Sequence, residues 1–344
     1  MIDRAEDAPP LGAGARGEDT LPLGAGTRGE AVRDVQRRLA ALGHDLADDP
    51  GGEFGPQTVE ATRTFQAQRG LPADGLCGPV TWAALVEAGY RLGDRFLSHR
   101  TRMLRGEDVS ELQAGLGALG FDAGRVDGIF GPDTARALEE FQRNSGLTPD
   151  GICGPDSVAA LRRLEGRQVG PTSVAQTREA LALRDAPRQL GQRRIVLGAP
   201  GSLDALVERI RRLLADAGAD VTVLHATDGS AQAREANDLG AELYVGLRLV
   251  AEPTCRVSYY ATPGFESVGG RRLAELAAPE LGTVLDLESV VDGMRLPVLR
   301  ETKMPAVVCA LGPVDEVVVQ ASALAAALTR CVTTWVEHRL DTPA

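Results

Sequence analysis

Lysine is almost missing from this chain. Lys303 is the only one among 37 basic residues, so arginine carries nearly all of the positive charge. Acidic residues outnumber basic ones, the net charge is −11, and no basic stripe is visible. That excludes a nucleic-acid partner, because neutralising a phosphate backbone requires a cationic face. Histidine is scarce as well. The four, His44, His99, His225 and His338, show no spacing that would gather metal ligands. The five cysteines are an odd number with no Cys-x-x-Cys pair, the pattern of reduced thiols and not of a disulfide framework. No apolar run approaches the length that spans a bilayer. The first ten residues lack the basic-then-apolar order of a secretory leader, so a cytoplasmic location is the expectation. What remains is a folded-protein composition, with 344 residues and 43% hydrophobic content, enough for two or three domains.

Residues 1–27 are rich in Pro, Gly and Ala and read as a disordered segment. In it Leu11-Gly-Ala-Gly-Ala-Arg-Gly-Glu18 recurs as Leu23-Gly-Ala-Gly-Thr-Arg-Gly-Glu30. A longer repeat follows. Arg28-Gly-Glu30, Val32 and Gln36 match Arg105-Gly-Glu107, Val109 and Gln113, and Phe54-Gly-Pro56 matches Phe130-Gly-Pro132. Phe65-Gln66 and Asp74-Gly-Leu-Cys-Gly-Pro79 then match Phe141-Gln142 and Asp150-Gly-Ile-Cys-Gly-Pro155. Each copy predicts three short helices. Val32, Val35, Leu39 and Leu42 form one apolar stripe, as do Val109, Leu112, Leu116 and Leu119. Pro56 and Pro132 suit a first helical position, and Gly43 and Gly120 suit a left-handed cap. Cys77 and Cys153 hold the same place in each copy and read as small buried residues.

With their Asp-Gly-x-Phe-Gly-Pro-x-Thr, Phe-Gln and Asp-Gly-x-x-Gly words, residues 28–90 and 103–165 resemble the peptidoglycan-binding domain of bacterial cell-wall enzymes. The resemblance implies a muropeptide or peptidoglycan ligand and nominates Asp127, Gly128, Phe130 and Asp150 as groove residues of the second copy. The first copy has Gly51-Gly52 and one inserted residue where the second has Asp127-Gly128. The same words also serve simply to build the three-helix fold.

Residues 166–192 read as a linker, with a short helix near Thr177–Leu183, and 339–344 as a short tail containing Thr342. Between them, strand and helix patterns alternate. Strands are expected after Arg193, at Val221–Leu224, Leu243–Val250, Arg256–Ala261 and Ala306–Leu311. Helices are expected from Leu203 with Ser202 as N-cap, at Ala231–Leu239, Gly269–Leu281 and Ser322–His338. The fold class that follows is multidomain: two all-α three-helix repeats, then an α/β domain at 193–338 around a largely parallel sheet.

Ile195-Val-Leu197, Ala217-Gly-Ala-Asp-Val221, Ala241-Glu-Leu-Tyr-Val245, Tyr259-Tyr260 and Val298-Leu-Arg-Glu-Thr-Lys-Met-Pro-Ala306 resemble the zinc-dependent N-acetylmuramoyl-L-alanine amidases. In that family three protein ligands hold zinc with a position open for water, and a glutamate handles the proton. The resemblance places the first histidine at Gly201, the third-strand histidine at Arg248 and the glutamate at Ala310. The segment carrying the second ligand is largely deleted. Zinc is therefore not expected as a cofactor and no catalytic residue is assigned, which makes the domain a degenerate amidase. Arg248, Arg300 and Lys303 become candidate contacts for an anion or an acidic partner, unless Arg248 is neutralised by an acid such as Glu252 or Glu301.

Two wall-binding repeats joined to such a domain resemble an actinobacterial cytoplasmic type of regulator of peptidoglycan synthesis. That resemblance implies a non-enzymatic role through two partners, UDP-N-acetylglucosamine 1-carboxyvinyltransferase and a Ser/Thr kinase. The alternatives are an active amidase and a passive peptidoglycan-binding module.

Overall fold

The computed structural model describes residues 21–164, 174–199, 201 and 203–338. The chain divides into two compact units, Met1–Ala175 and Gln176–Ala344.

The first unit contains both repeats. One is built from α1 (Glu30–Ala41), α2 (Pro56–Gln68) and α3 (Pro79–Glu87), the other from α4 (Glu107–Ala118), α5 (Pro132–Asn144) and α6 (Pro155–Leu164). Four of the six helices start on proline, whose missing N–H would have found no partner in the first turn. Gly43 and Gly120 take positive φ after the first helix of each repeat, as the left-handed cap requires. Val32, Val35 and Leu39 pack with Phe54 and Phe65, and Val109, Leu112 and Leu116 with Phe130 and Phe141. Leu42 and Leu119 close each stripe only partly buried. Burial pushes the thiols of Cys77 and Cys153 up to about 12, well out of the reactive range.

Each packed repeat also takes in residues ahead of its expected start. Leu23, fully buried in the first core, exchanges backbone hydrogen bonds with Cys77 at 3.0 and 2.8 Å, and Leu97 does the same with Cys153 at 3.2 and 2.8 Å. Residues 21–27 thus belong to the first repeat, and Leu97 belongs to the second. Residues 1–20, the rest of the segment read as disordered, lie outside the described residues.

In the second unit, α7 (Val174–Asp185) occupies much of the stretch read as a linker. It docks through one face, on which Glu179 and Leu183 lie four residues apart. Glu179 accepts hydrogen bonds from Ser267 Oγ (2.7 Å) and Gly269 N (3.2 Å), and Leu183 packs on the core. Leu190 is buried in the same core. The chain continues through β1 (Arg194–Gly198), α8 (Asp204–Asp216), β2 (Asp220–Leu224), α9 (Gly229–Asp238), β3 (Leu243–Leu249), β4 (Thr254–Thr262) and β5 (Phe265–Glu266). Then come α10 (Val268–Leu285), β6 (Ser289–Met294), α11 (Pro297–Glu301), β7 (Ala306–Gly312), α12 (Val314–Val319) and α13 (Ala321–Glu337). The expected cap Ser202 lies outside the described residues, and α8 begins at Asp204.

The sheet order is β2-β1-β3-β7-β4. β2, β1, β3 and β7 are parallel to one another, and β4 runs antiparallel to β7. β4 also pairs in parallel with β6 and turns back into β5. Leu243, Val245 and Leu247 of β3, with Val307, Cys309 and Leu311 of β7 and Cys255, Val257 and Tyr259 of β4, face the core built with α8, α10 and α13. By the two-residue alternation of a strand, Tyr244, Gly246 and Arg248 face the other way, as do Val308, Ala310, Arg256 and Ser258. α9 lies over this second face, where its Gln232 meets the buried hydroxyl of Tyr244. α11 packs on α9.

Four elements were absent from the sequence reading: β5, β6, α11 and α12. The Ser289–Met294 strand carries an internal glycine and exposes Val290 and Val291. The valine-rich Val314–Val319 reads as a strand by composition yet is helical, starting after Pro313 with Asp315 and Glu316 in its first turn.

Candidate functional site

In an open α/β sheet, ligands bind beyond the carboxyl ends of the strands. β1, β3 and β7 bring theirs to one edge. Gly198 pairs with Gly246, and two residues farther along β3 Arg248 lies in register with Ala310 of β7. The antiparallel β4 then places Arg256 on the other side of Ala310. All three share the face opposite the core. Arg248 and Arg256 therefore stand one strand to either side of an alanine, about 10 Å apart at the backbone. Gly201 sits in the loop after β1 with a φ of +89° and contributes no side chain.

The two arginines are not equivalent. Arg256 forms an ion pair with Asp292 of β6, whose other oxygen accepts from Ser258 Oγ at 2.6 Å. Arg248 is exposed and has no hydrogen-bond or ion-pair partner among the described residues. Neither Glu252 nor Glu301 neutralises it. Neither guanidinium offers a lone pair, so neither is a metal ligand or a general base.

Arg300 and Lys303 do not join this group. Arg300 is largely buried against Glu301, at 3.2 Å, and Glu301 also accepts from Ser230 Oγ at 3.0 Å. Lys303 is exposed, its backbone N–H donates to Asn237 Oδ1 at 2.8 Å, and it precedes the first residue of β7. Ala306 pairs with Tyr244, four residues before Arg248, so Lys303 lies at the opposite end of the strands, more than about 13 Å away. The expectation that these three cations share one surface is corrected by strand direction. His225, just past the end of β2, is exposed at the same edge as Arg248. Among the described residues no three His, Cys, Asp or Glu side chains are grouped so as to hold a metal ion. Arg256, Ser258 and Asp292 went unnoticed in the sequence because their meeting depends on strand order.

The nominated residues of the second repeat sit in hydrogen-bonded turns and, for Phe130, in the core. Gln113 Nε2 reaches Asp127 Oδ1 (2.9 Å), Ile129 O (3.1 Å) and Thr134 Oγ1 (3.1 Å), while its Oε1 accepts from Gly128 N at 2.8 Å. Gly128 has φ +71°, and an added Cβ would lie 2.7 Å from Ser110 Oγ and 3.0 Å from Gly106 O. Phe130 is fully buried in the core, so it offers nothing to a ligand. Asp150 repeats the pattern with Gln142, and Gln66 does so with Asp74 in the first repeat. Gln36 does it without an aspartate, bonding Glu53 O, while the inserted loop supplies Asp49 to bind Thr58 N and Oγ1 at 2.6 and 2.7 Å. One glutamine knot thus recurs four times and accounts for most of the repeated words.

The hydrogen bonds from Ile152 N and Gln142 hold the Asp150 carboxyl below its ordinary range. Those from Thr58, Gln57 and Gly55 do the same for Asp49 against an opposing desolvation. A depressed carboxylate stabilises the fold above its unfolded value of about 4 and loses that contribution as pH falls through the lower folded value. Denaturation midpoints are therefore expected to fall below about pH 4, and Asp150→Asn should flatten that dependence while lowering stability at pH 7.

Comparison with known proteins gives this architecture its place. Residues 28–85 and 105–161 match the putative peptidoglycan binding domain. N-acetylmuramoyl-L-alanine amidase CwlM of Mycobacterium tuberculosis is 34% identical over 82% of this chain and 79% of its own length. The chain belongs to the N-acetylmuramoyl-L-alanine amidase family. N-acetylmuramoyl-L-alanine amidase CwlL of Bacillus licheniformis is 33% identical over 39% of this chain and 43% of its own length. The crystal structure of an N-acetylmuramyl-L-alanine amidase from Mycobacterium smegmatis covers 41% of this chain and 96% of its own at 16% identity, with a TM-score of 0.35.

Zinc, the metal this amidase family implies, can be weighed against the donors present. At the positions where the resemblance puts ligands and base stand a glycine, a cation and an alanine. They do not fit the ion, since a guanidinium repels it and the other two have no donor atom. No helix among the described residues is long and apolar enough to cross a membrane.

Proposed function

We propose that the protein is a non-catalytic member of the amidase family that regulates peptidoglycan precursor synthesis in the cytoplasm by binding protein partners. The observation that carries this reading is the register of Arg248, Ala310 and Arg256 across the sheet edge. Where amidase chemistry needs lone pairs and a carboxylate, the chain presents one free guanidinium and one paired guanidinium. That edge suits an acidic loop of a partner or a carboxylate of a precursor. The partners proposed are UDP-N-acetylglucosamine 1-carboxyvinyltransferase and a Ser/Thr kinase.

Purified chain added to the carboxyvinyltransferase should raise its turnover, and Arg248→Glu should reduce the effect without unfolding the domain. Unchanged turnover, together with failure to recover either partner from cell extract, would count against regulation. A second reading, passive wall binding, is favoured by the match of both repeats to the peptidoglycan-binding domain. Co-sedimentation with isolated sacculi that survives Arg248→Glu and is lost on deleting residues 21–164 would support it.

A further inference from the structure

A second cationic site lies at the other end of the sheet. The connection from α7 to β1 and the end of α13 line a small open recess, with Trp335 and Leu183 among the apolar lining and Arg184, Arg188, Arg193 and Arg272 around it. Arg193 directly precedes β1, and its guanidinium pairs with Glu242. Arg248 lies six steps along the strand from Glu242, which directly precedes β3, so the recess and the Arg248 edge are about 20 Å apart.

Four arginines lining one recess is unexpected in a chain of net charge −11. Two of them, Arg188 and Arg193, keep unmet donors. Glu242 pairs with Arg193 at 3.1 Å and Asp185 with Arg184 at 3.1 Å. The carbonyl of His338 is taken by Arg272 at 2.8 Å, and Glu179 caps α10. Arg188 is exposed and has no hydrogen-bond or ion-pair partner among the described residues. Arg193 is the decisive residue. Its side chain is only 6% exposed, yet its buried Nε has no hydrogen-bond partner. A buried donor left unmade is costly, and an oxyanion in the recess would satisfy it.

We propose that this recess binds a phosphoryl group, with Arg193 Nε and Arg188 as donors and the Trp335 indole as the apolar wall beside it. The inference is independent of the regulatory reading, since it uses no residue of the Arg248 edge. The group has two possible carriers, an amino-acid side chain or a nucleoside, and both present the same oxygens.

The test uses the full chain with Trp82→Phe, which leaves Trp335 as the remaining tryptophan. Its fluorescence is followed during titration with inorganic phosphate at matched ionic strength. A saturable change is expected, with affinity weakened about tenfold in Arg188→Ala, the effect of losing one charge-assisted contact. Arg193→Lys, which keeps the charge beside Glu242 and loses Nε, should weaken it similarly. Arg188 is exposed, so its variant tests binding even if Arg193→Lys fails to fold. Parallel titrations with phosphoserine and uridine diphosphate name the carrier by which binds more tightly. No saturable change, or equal affinity in chain and Arg188→Ala, overturns the proposal.

Discussion

Gly198→Ala is expected to destabilise the second unit by about 3 kcal/mol, the upper range for forcing an atom into a packed interior. A Cβ at Gly198 would lie 1.8 Å from Tyr244 Oη, 2.6 Å from its Cζ and 2.5 Å from Gln232 Oε1. Tyr244 has nowhere to retreat. It is 1% exposed, its hydroxyl is bonded to Gln232, and burial raises its pKa by penalising the phenolate. Inserting the methyl therefore breaks that hydrogen bond or pushes the ring into α9. Gly198 ends β1 directly before the loop that carries Gly201, so its lack of a side chain is what lets β1 and β3 hold this edge together. The check is a double-mutant cycle by chemical denaturation. Tyr244→Ala costs stability alone, but in its background Gly198→Ala should cost little, giving a large coupling. Additive effects would mean the two side chains do not compete for the space.

The other large effect is expected in the second repeat. Gln142 is 2% exposed, its Nε2 lies 2.9 Å from Asp150 Oδ1, 3.0 Å from Ile152 O and 3.1 Å from Ser157 Oγ, and its Oε1 accepts from Gly151 N at 3.0 Å. Gln142→Leu keeps the volume and orphans those groups, so a loss of about 3 kcal/mol is expected from several unmade bonds at once. Gln142→Glu distinguishes polar satisfaction from shape. It sets a carboxylate against Asp150, so it should be worse than leucine at pH 7 and recover part of the loss in acid. Denaturation midpoints at pH 7 and below pH 4 decide it. If glutamate is tolerated as well as glutamine at neutral pH, the knot is not what holds the turn.

How far the sequence foretells this structure depends on whether the information is local. The helix stripes, the prolines that open helices, and the β3 and β7 strands lie within a few residues of one another, and all were legible. The matching words Gln36, Gln66, Gln113 and Gln142 were visible too. Their purpose was not, because each glutamine closes a loop by bonding backbone and side-chain atoms that only the fold brings together. Leu23 and Leu97 belong to the repeats through a single bridge to a cysteine more than fifty residues away, which no periodicity announces. The α7 helix was legible only as a short helix near Thr177–Leu183 within a linker, because Glu179, which caps another helix, reads in sequence as an ordinary exposed acid.

For the candidate site, the sequence could name Arg248 and Ala310 as standing where the resemblance puts a zinc ligand and the glutamate. Strand order was needed to show that β7 lies between β3 and β4, which sets Arg256 beside Ala310 and sends Lys303 to the far end. Arg193 carried no signal at all. An arginine preceding a strand is ordinary, and only its burial with an unmet Nε marks it.

The central claim, that this amidase fold lacks a zinc site, is tested most directly by the zinc content of untagged protein after incubation with excess zinc and removal of free metal. No stoichiometric zinc is the expected result, because Gly201, Arg248 and Ala310 provide no donor. One zinc per chain, retained through gel filtration and accompanied by cleavage of the muramoyl–alanine amide, would contradict it.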